Sequence, residues 1–113
     1  MIDYSKQAGK KFYVNGNQMK LHNLDDIMYI KSENGCSTFF LSTGTVVTAH
    51  QPLCKLEKEL LEMGFFKIRA NIIINGKYII EVNTKIRFRT VTLEKASFLI
   101  AKNRIKAFIE WIS

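Results

Sequence analysis

Three short polar clusters hold the residue types in this chain that could do chemistry. The stretch FFKIRANIIIN, residues 65–75, sets Lys67, Arg69 and Asn71 at alternate positions just before the apolar run Ile72–Ile74. Asn34, Ser37 and Thr38 surround an Asn-Gly pair, and Lys102, Asn103 and Arg104 precede the last apolar segment. Cations of this kind neutralise phosphate, while short, rigidly held amides and hydroxyls hydrogen-bond to base edges. Each cluster alone also fits a solvated loop. Together, on a basic chain, they favour a polyanionic partner.

The charge is unevenly placed. The 113 residues carry a net charge of +7 with a pI near 9.5. From Lys67 to Lys106 there are ten Lys/Arg against two acids, Glu81 and Glu94, whereas the remainder holds seven bases and eight acids. The second half therefore carries the field. Nucleic acid is the first expectation for a partner and an acidic membrane surface the second.

Other chemistries find little support. His22 and His50 have no neighbour at metal-ligand spacing, and no glycine pattern matches a phosphate-binding loop. Asp25 and Asp26 adjoin a strand on which neighbours face opposite ways, which suits starting the strand at Ile27 better than forming an acid–base pair. Ser37 and Thr38 have no activating base nearby. No catalytic residue, metal, cofactor or small-molecule substrate is expected. Phe39/Phe40 and Phe65/Phe66 could stack unpaired bases of RNA or single-stranded DNA, although such adjacent pairs more often send one ring into the core.

Bulk properties set the frame for these clusters. Hydrophobic content of 47% with one proline argues for a single globular domain over residues 1–113, with the first eleven residues loosely ordered. No run approaches ~18 apolar residues, and the N-terminus lacks a signal-peptide pattern, so a cytoplasmic chain without a membrane span is expected. Cys36 and Cys54 form no CxxC pair and read as reduced, half-buried thiols.

The elements that must position the clusters are mostly strands. Asn-Gly recurs at 15–16, 34–35 and 75–76, each time between β-rich segments, and predicts three hairpin turns. A further turn is predicted at Ser42–Gly44. Ile86/Phe88 alternate with Arg87/Arg89, which predicts a strand with one buried and one basic face. Leu53, Leu56, Leu60 and Leu61, with Pro52 before and Gly64 after, predict a mid-chain helix. Ile105, Phe108, Ile109 and Ile112 predict the apolar stripe of a C-terminal helix.

The order LDDIMYIKSENGCSTFFL, then PLCKLEKELLEMGFFKIRANIIINGKYI, then LIAKNRIKAFIEWI resembles the LytTR-type DNA-binding domain of bacterial transcription regulators, over roughly Phe12 to Ile112. The resemblance implies a mostly β fold of short antiparallel sheets in an elongated arrangement, with one mid-chain and one C-terminal helix. It implies loops entering successive major grooves of a bent duplex, with base contacts from positions matching Ser37/Thr38, Lys67 to Asn71, and Lys102 to Arg104. Lys67, Arg69 and Asn71 stand where the family usually has Arg, His and Ser, so its binding sequence does not transfer. Its usual receiver domain is absent from this sequence.

The expected function is sequence-specific binding of double-stranded promoter DNA, on direct repeats and as a homodimer, by a transcription regulator. Lys67, Arg87, Arg89, Lys102 and Lys106 would hold phosphates. Arg69, Asn71, Asn103 and Arg104 would read bases, with Asn34 and Ser37/Thr38 at a second groove. A protein-binding antagonist module and an RNA or single-strand binder are the rival readings.

Overall fold

In the computed structural model, residues 4–15, 19–50, 54–85 and 87–113 are described, with the backbone alone for residues 11–15, 19–22 and 54–56. Among these residues ten strands form three antiparallel sheets. A hairpin of β1 (Lys11–Asn15) and β2 (Met19–Asn23) comes first. The central sheet has five strands in the order β5-β4-β3-β7-β6, from β3 (Ile27–Glu33), β4 (Cys36–Leu41), β5 (Val46–Ala49), β6 (Phe65–Arg69) and β7 (Ile72–Asn75). A three-stranded sheet contains β8 (Ile79–Asn83), β9 (Thr90–Leu93) and β10 (Ala96–Leu99). Helix α1 (Cys54–Glu62) links β5 to β6, and α2 (Ile105–Ile112) ends the chain. The mostly β architecture with two helices is the one the sequence pattern predicts.

Ile72–Ile74 is a continuous apolar run because β7 is covered on both faces. Ile73 packs with Ile27, Ile30, Phe65 and Leu60 of α1 on one side. Ile72 and Ile74 pack with Phe66, Ile68, Val91 and Phe108 on the other, under the three-stranded sheet and α2. A central strand clothed on both sides has no wet face to alternate with. Full burial of each isoleucine contributes about 1.5–3 kcal/mol.

The β3–β4 turn forms as predicted: Asn34 and Gly35 take φ of 51° and 79°, the left-handed values of a two-residue hairpin loop. The turn before Thr45 also forms, with Gly44 N donating to Leu41 O at 3.0 Å. The turn of the first Asn-Gly pair falls on residues 16–18, outside the described residues, as do Pro52, Leu53 and Ile86.

Four expectations are corrected. Asn75–Gly76 makes no hairpin: Asn75 has φ −89°, its side chain caps a 3-10 turn at Gly76–Tyr78, and β7 and β8 lie in different sheets. Arg87–Arg89 is not a strand, because Arg89 has φ 34° and its N–H closes a turn on Lys85 O at 2.9 Å. On α2, Trp111 takes the covered position assigned to Ile109: it stacks on Phe66 at 4.9 Å, while Ile109 is exposed. Within the N-terminal stretch expected to be loose, Tyr4–Gln7 form a 3-10 turn whose Gln7 is fully buried. Gln7 is held there because it forms two reciprocal amide bonds with Asn75, at 2.9 and 3.0 Å.

Candidate nucleic-acid interface

The β6–β7 hairpin is irregular where its polar residues begin. Lys67 pairs with Ile73, but the next matched pair is Arg69 with Ile72, so a bulge falls at Ile68. A bulge re-aims the side chains beyond it. Lys67, before the bulge, keeps the face of its partner Ile73 and reaches toward α1, where its Nζ lies 3.3 Å from Glu57 Oε2. Arg69 turns toward the other sheet, its Nη1 donating to Leu99 O at 3.4 Å. Ala70 and Asn71 form the exposed turn beyond.

The segment leading into α2 is stitched onto this hairpin. Ala101 N donates to Ile68 O at 2.9 Å, and Arg104 Nε donates to Lys67 O at 3.0 Å. The Arg104 guanidinium also lies 4.7 Å from the Phe66 ring centroid, within cation–π range. These contacts draw the clusters at 67–71 and 102–104 together around one groove of about 430 Å³, lined by Glu57, Lys67, Arg69, Ala70, Asn71, Ala101, Asn103 and Arg104. Lys102 and Lys106 are exposed beside it, one helical turn apart.

The cluster at 34–38 lies further across the same sheet. Register aligns Arg69, Ile72, Lys31, Thr38 and Thr48 in one row over β6, β7, β3, β4 and β5. Directly paired residues of antiparallel strands share a face, so the row is one track on that face, roughly 19 Å long at ordinary strand spacing, open at Lys31 and Thr48 but interrupted at Ile72, which is buried under the three-stranded sheet. Thr38 Oγ1 sits 3.3 Å from Thr48 Oγ1, and Asn34 is exposed at the hairpin tip.

Two candidate side chains are drawn into the fold to different extents. Ser37 is fully buried on the opposite face, across from Ala49 and Ser32, so Thr38 alone of that pair reaches the surface. Arg89 is half-buried, with its Nε donating to Ile100 O at 3.0 Å, so it also braces the chain. Arg87 is exposed in the turn before it. Of the aromatic candidates for stacking bases, Phe39, Phe65 and Phe66 are buried, and Phe40 is half-buried and stacked on Tyr29 at 4.4 Å. Burial also raises the Tyr29 phenol above its usual pKa, so it stays neutral.

Lys31 and Glu57 were not among the sequence candidates. Lys31 is exposed in the middle of the track, with its Nζ 5.7–6.0 Å from the ring centroids of Tyr29, Phe40 and Phe98. The Asn34–Gly35 turn fixes Lys31 opposite Thr38, so reading the register outward from that turn would have found it. Glu57 is an acid in a helix whose sequence gives no sign of a groove; only the fold brings it to Lys67. Elsewhere, Cys36 Sγ lies 3.2 Å from His50 Nδ1. Among the described residues no group of three or more His, Cys, Asp or Glu is placed to hold a metal, and no helix is long and apolar enough to cross a membrane.

The chain is a small, mostly β fold that gathers cations and amides around one groove. Residues 17–113 match the family model of the LytTr DNA-binding domain, and the chain belongs to that family. It is thus a DNA-binding domain. Its fold is similar to a solved LytTr DNA-binding domain, from a protein titled as a methyl-accepting/DNA response regulator of Bacillus cereus. The TM-score is 0.79 at 12% identity, covering 93% of this chain and 99% of that one. No curated protein sequence matches the chain.

Proposed function

We propose that this domain regulates transcription by reading double-stranded promoter DNA, with the groove between the β6–β7 turn and the start of α2 as its principal reading head. One observation carries the proposal: two polar clusters more than thirty residues apart are tied into a single groove by main-chain and arginine bonds. Arg69, Asn71 and Asn103 face base edges there. Lys67, Lys102, Lys106 and Arg87 hold phosphates, and Arg104 fixes the geometry while sharing the groove wall. The track through Lys31 and Thr38 extends beyond the ~12 Å width of one major groove, so Thr38 and Asn34 meet a neighbouring part of the duplex. Insertion into successive grooves of a bent site, direct repeats and pairing of two copies on DNA are the arrangement this reading entails.

The test is selection from a random duplex library, followed by titration of the winner at several salt concentrations. Roughly four or five phosphate contacts predict a log–log slope of about −4. A salt-independent affinity, or a selection that enriches no sequence, contradicts the proposal. Single-stranded competitor should displace little, since the aromatics that could stack bases are mostly in the core.

A further inference from the structure

Glu57 is the one acid among the described residues lining a groove otherwise furnished with cations and amides. It stands in the first turn of α1, where a carboxylate is favoured by the helix dipole. That preference alone would not aim it at the groove, yet its Oε2 meets Lys67 Nζ at 3.3 Å. The two side chains are 35% and 26% exposed, so the pair is partly shielded from salt. The Lys67 backbone is also fixed, because its carbonyl accepts from Arg104 Nε. Only the lysine side chain can change partners.

We infer that Glu57 is an internal phosphate surrogate that occupies Lys67 in the free domain and must be given up when DNA binds. This rests on the groove's being a DNA interface. A phosphate brought to Lys67 also approaches the Glu57 carboxylate, and like charges disfavour that encounter. Loose electrostatic attachment to any polyanion is therefore penalised. A duplex whose bases also engage Arg69, Asn71 and Asn103 offsets the exchange, so Glu57 acts as a specificity-determining residue by weakening indiscriminate binding.

The test compares wild type, E57Q, E57A, E62Q, K67Q and the double variant E57Q/K67Q, each titrated with a mixed-sequence duplex and with heparin at low and moderate salt. Glu62 is exposed on the same helix outside the groove, so E62Q reports the bare change in net charge. E57Q should bind both polyanions about two- to fivefold tighter than E62Q does, the scale of a partly exposed ion pair. Its duplex salt slope should steepen by up to about 0.9, because Lys67 is no longer neutralised by Glu57 before binding and releases its own counterion to the phosphate. In the K67Q background the E57Q gain should vanish. E57A should match E57Q, which guards against an effect peculiar to the new amide.

If wild type binds the duplex and E57Q equals E62Q, the surrogate role is overturned while the DNA reading stands. A gain that survives in the K67Q background also overturns it. If wild type binds no duplex but E57Q still tightens heparin through Lys67, the surrogate stands and the DNA reading fails.

Discussion

Asn71 and Asn75 mark the two ends of one strand and have opposite fates. Asn75 is fully buried and saturated: its Nδ2 donates to Gln7 Oε1 at 3.0 Å and to Ile27 O at 2.9 Å, while its Oδ1 accepts from Gln7 Nε2 at 2.9 Å and from Lys77 N at 3.1 Å. An asparagine side chain has two donors and two acceptor positions, and here all four are used. Asn71 is exposed at the turn, where its backbone carbonyl accepts from Ser32 N at 2.8 Å and its side chain lines the groove. One end spends its polarity on the fold; the other leaves it exposed at the groove. The residue type is the same, and the partners decide the role.

The largest effect expected from breaking this contrast is at the buried end. Asn75→Ala leaves the Gln7 amide buried without its reciprocal partner and frees Ile27 O, which should cost about 2–4 kcal/mol in urea unfolding. A Gln7→Ala/Asn75→Ala cycle should be strongly non-additive, by about 1–2 kcal/mol, because the two amides satisfy each other. If the double variant loses the plain sum of the two single losses, the network reading fails.

Arg104 stands between the two regimes. It bonds Lys67 O and lies over Phe66, yet it also lines the groove. Arg104→Ala should lower stability by about 1–2 kcal/mol and weaken binding to all duplexes together, since both sides of the groove lose their alignment. Loss of DNA affinity with an unchanged urea midpoint would move Arg104 to the recognition end of the comparison.

The sequence made much of this legible, and where it failed the cause is physical. Alternation and Asn-Gly turns exposed the β3–β4 hairpin because both signals are local. The identical dipeptide at 75–76 misled because its asparagine is claimed by Gln7, 68 positions away in sequence, and by a 3-10 cap rather than a hairpin. The period-two pattern around Arg87 and Arg89 imitated a strand, since no local rule registers the bonds between Arg89 and residue 100. The polar clusters were visible as residue types. Their convergence was not, because it depends on Ala101 and Arg104 meeting the carbonyls of Ile68 and Lys67. Ser37 was misjudged for a simpler reason: Ser37 and Thr38 are adjacent on a strand and must face opposite ways.

The most direct measurement of the central claim is the selectivity of Arg69→Ala, taken as its affinity for the library-selected duplex relative to a mixed-sequence duplex at one salt concentration. Arg69 lines the groove and contributes little to the core, so its urea midpoint should stay within the usual surface range of about 0.5 kcal/mol. The selectivity should fall by about 1–3 kcal/mol, the worth of one good base contact. An Arg69→Ala domain that stays folded and keeps full selectivity would show that sequence is read somewhere other than this groove.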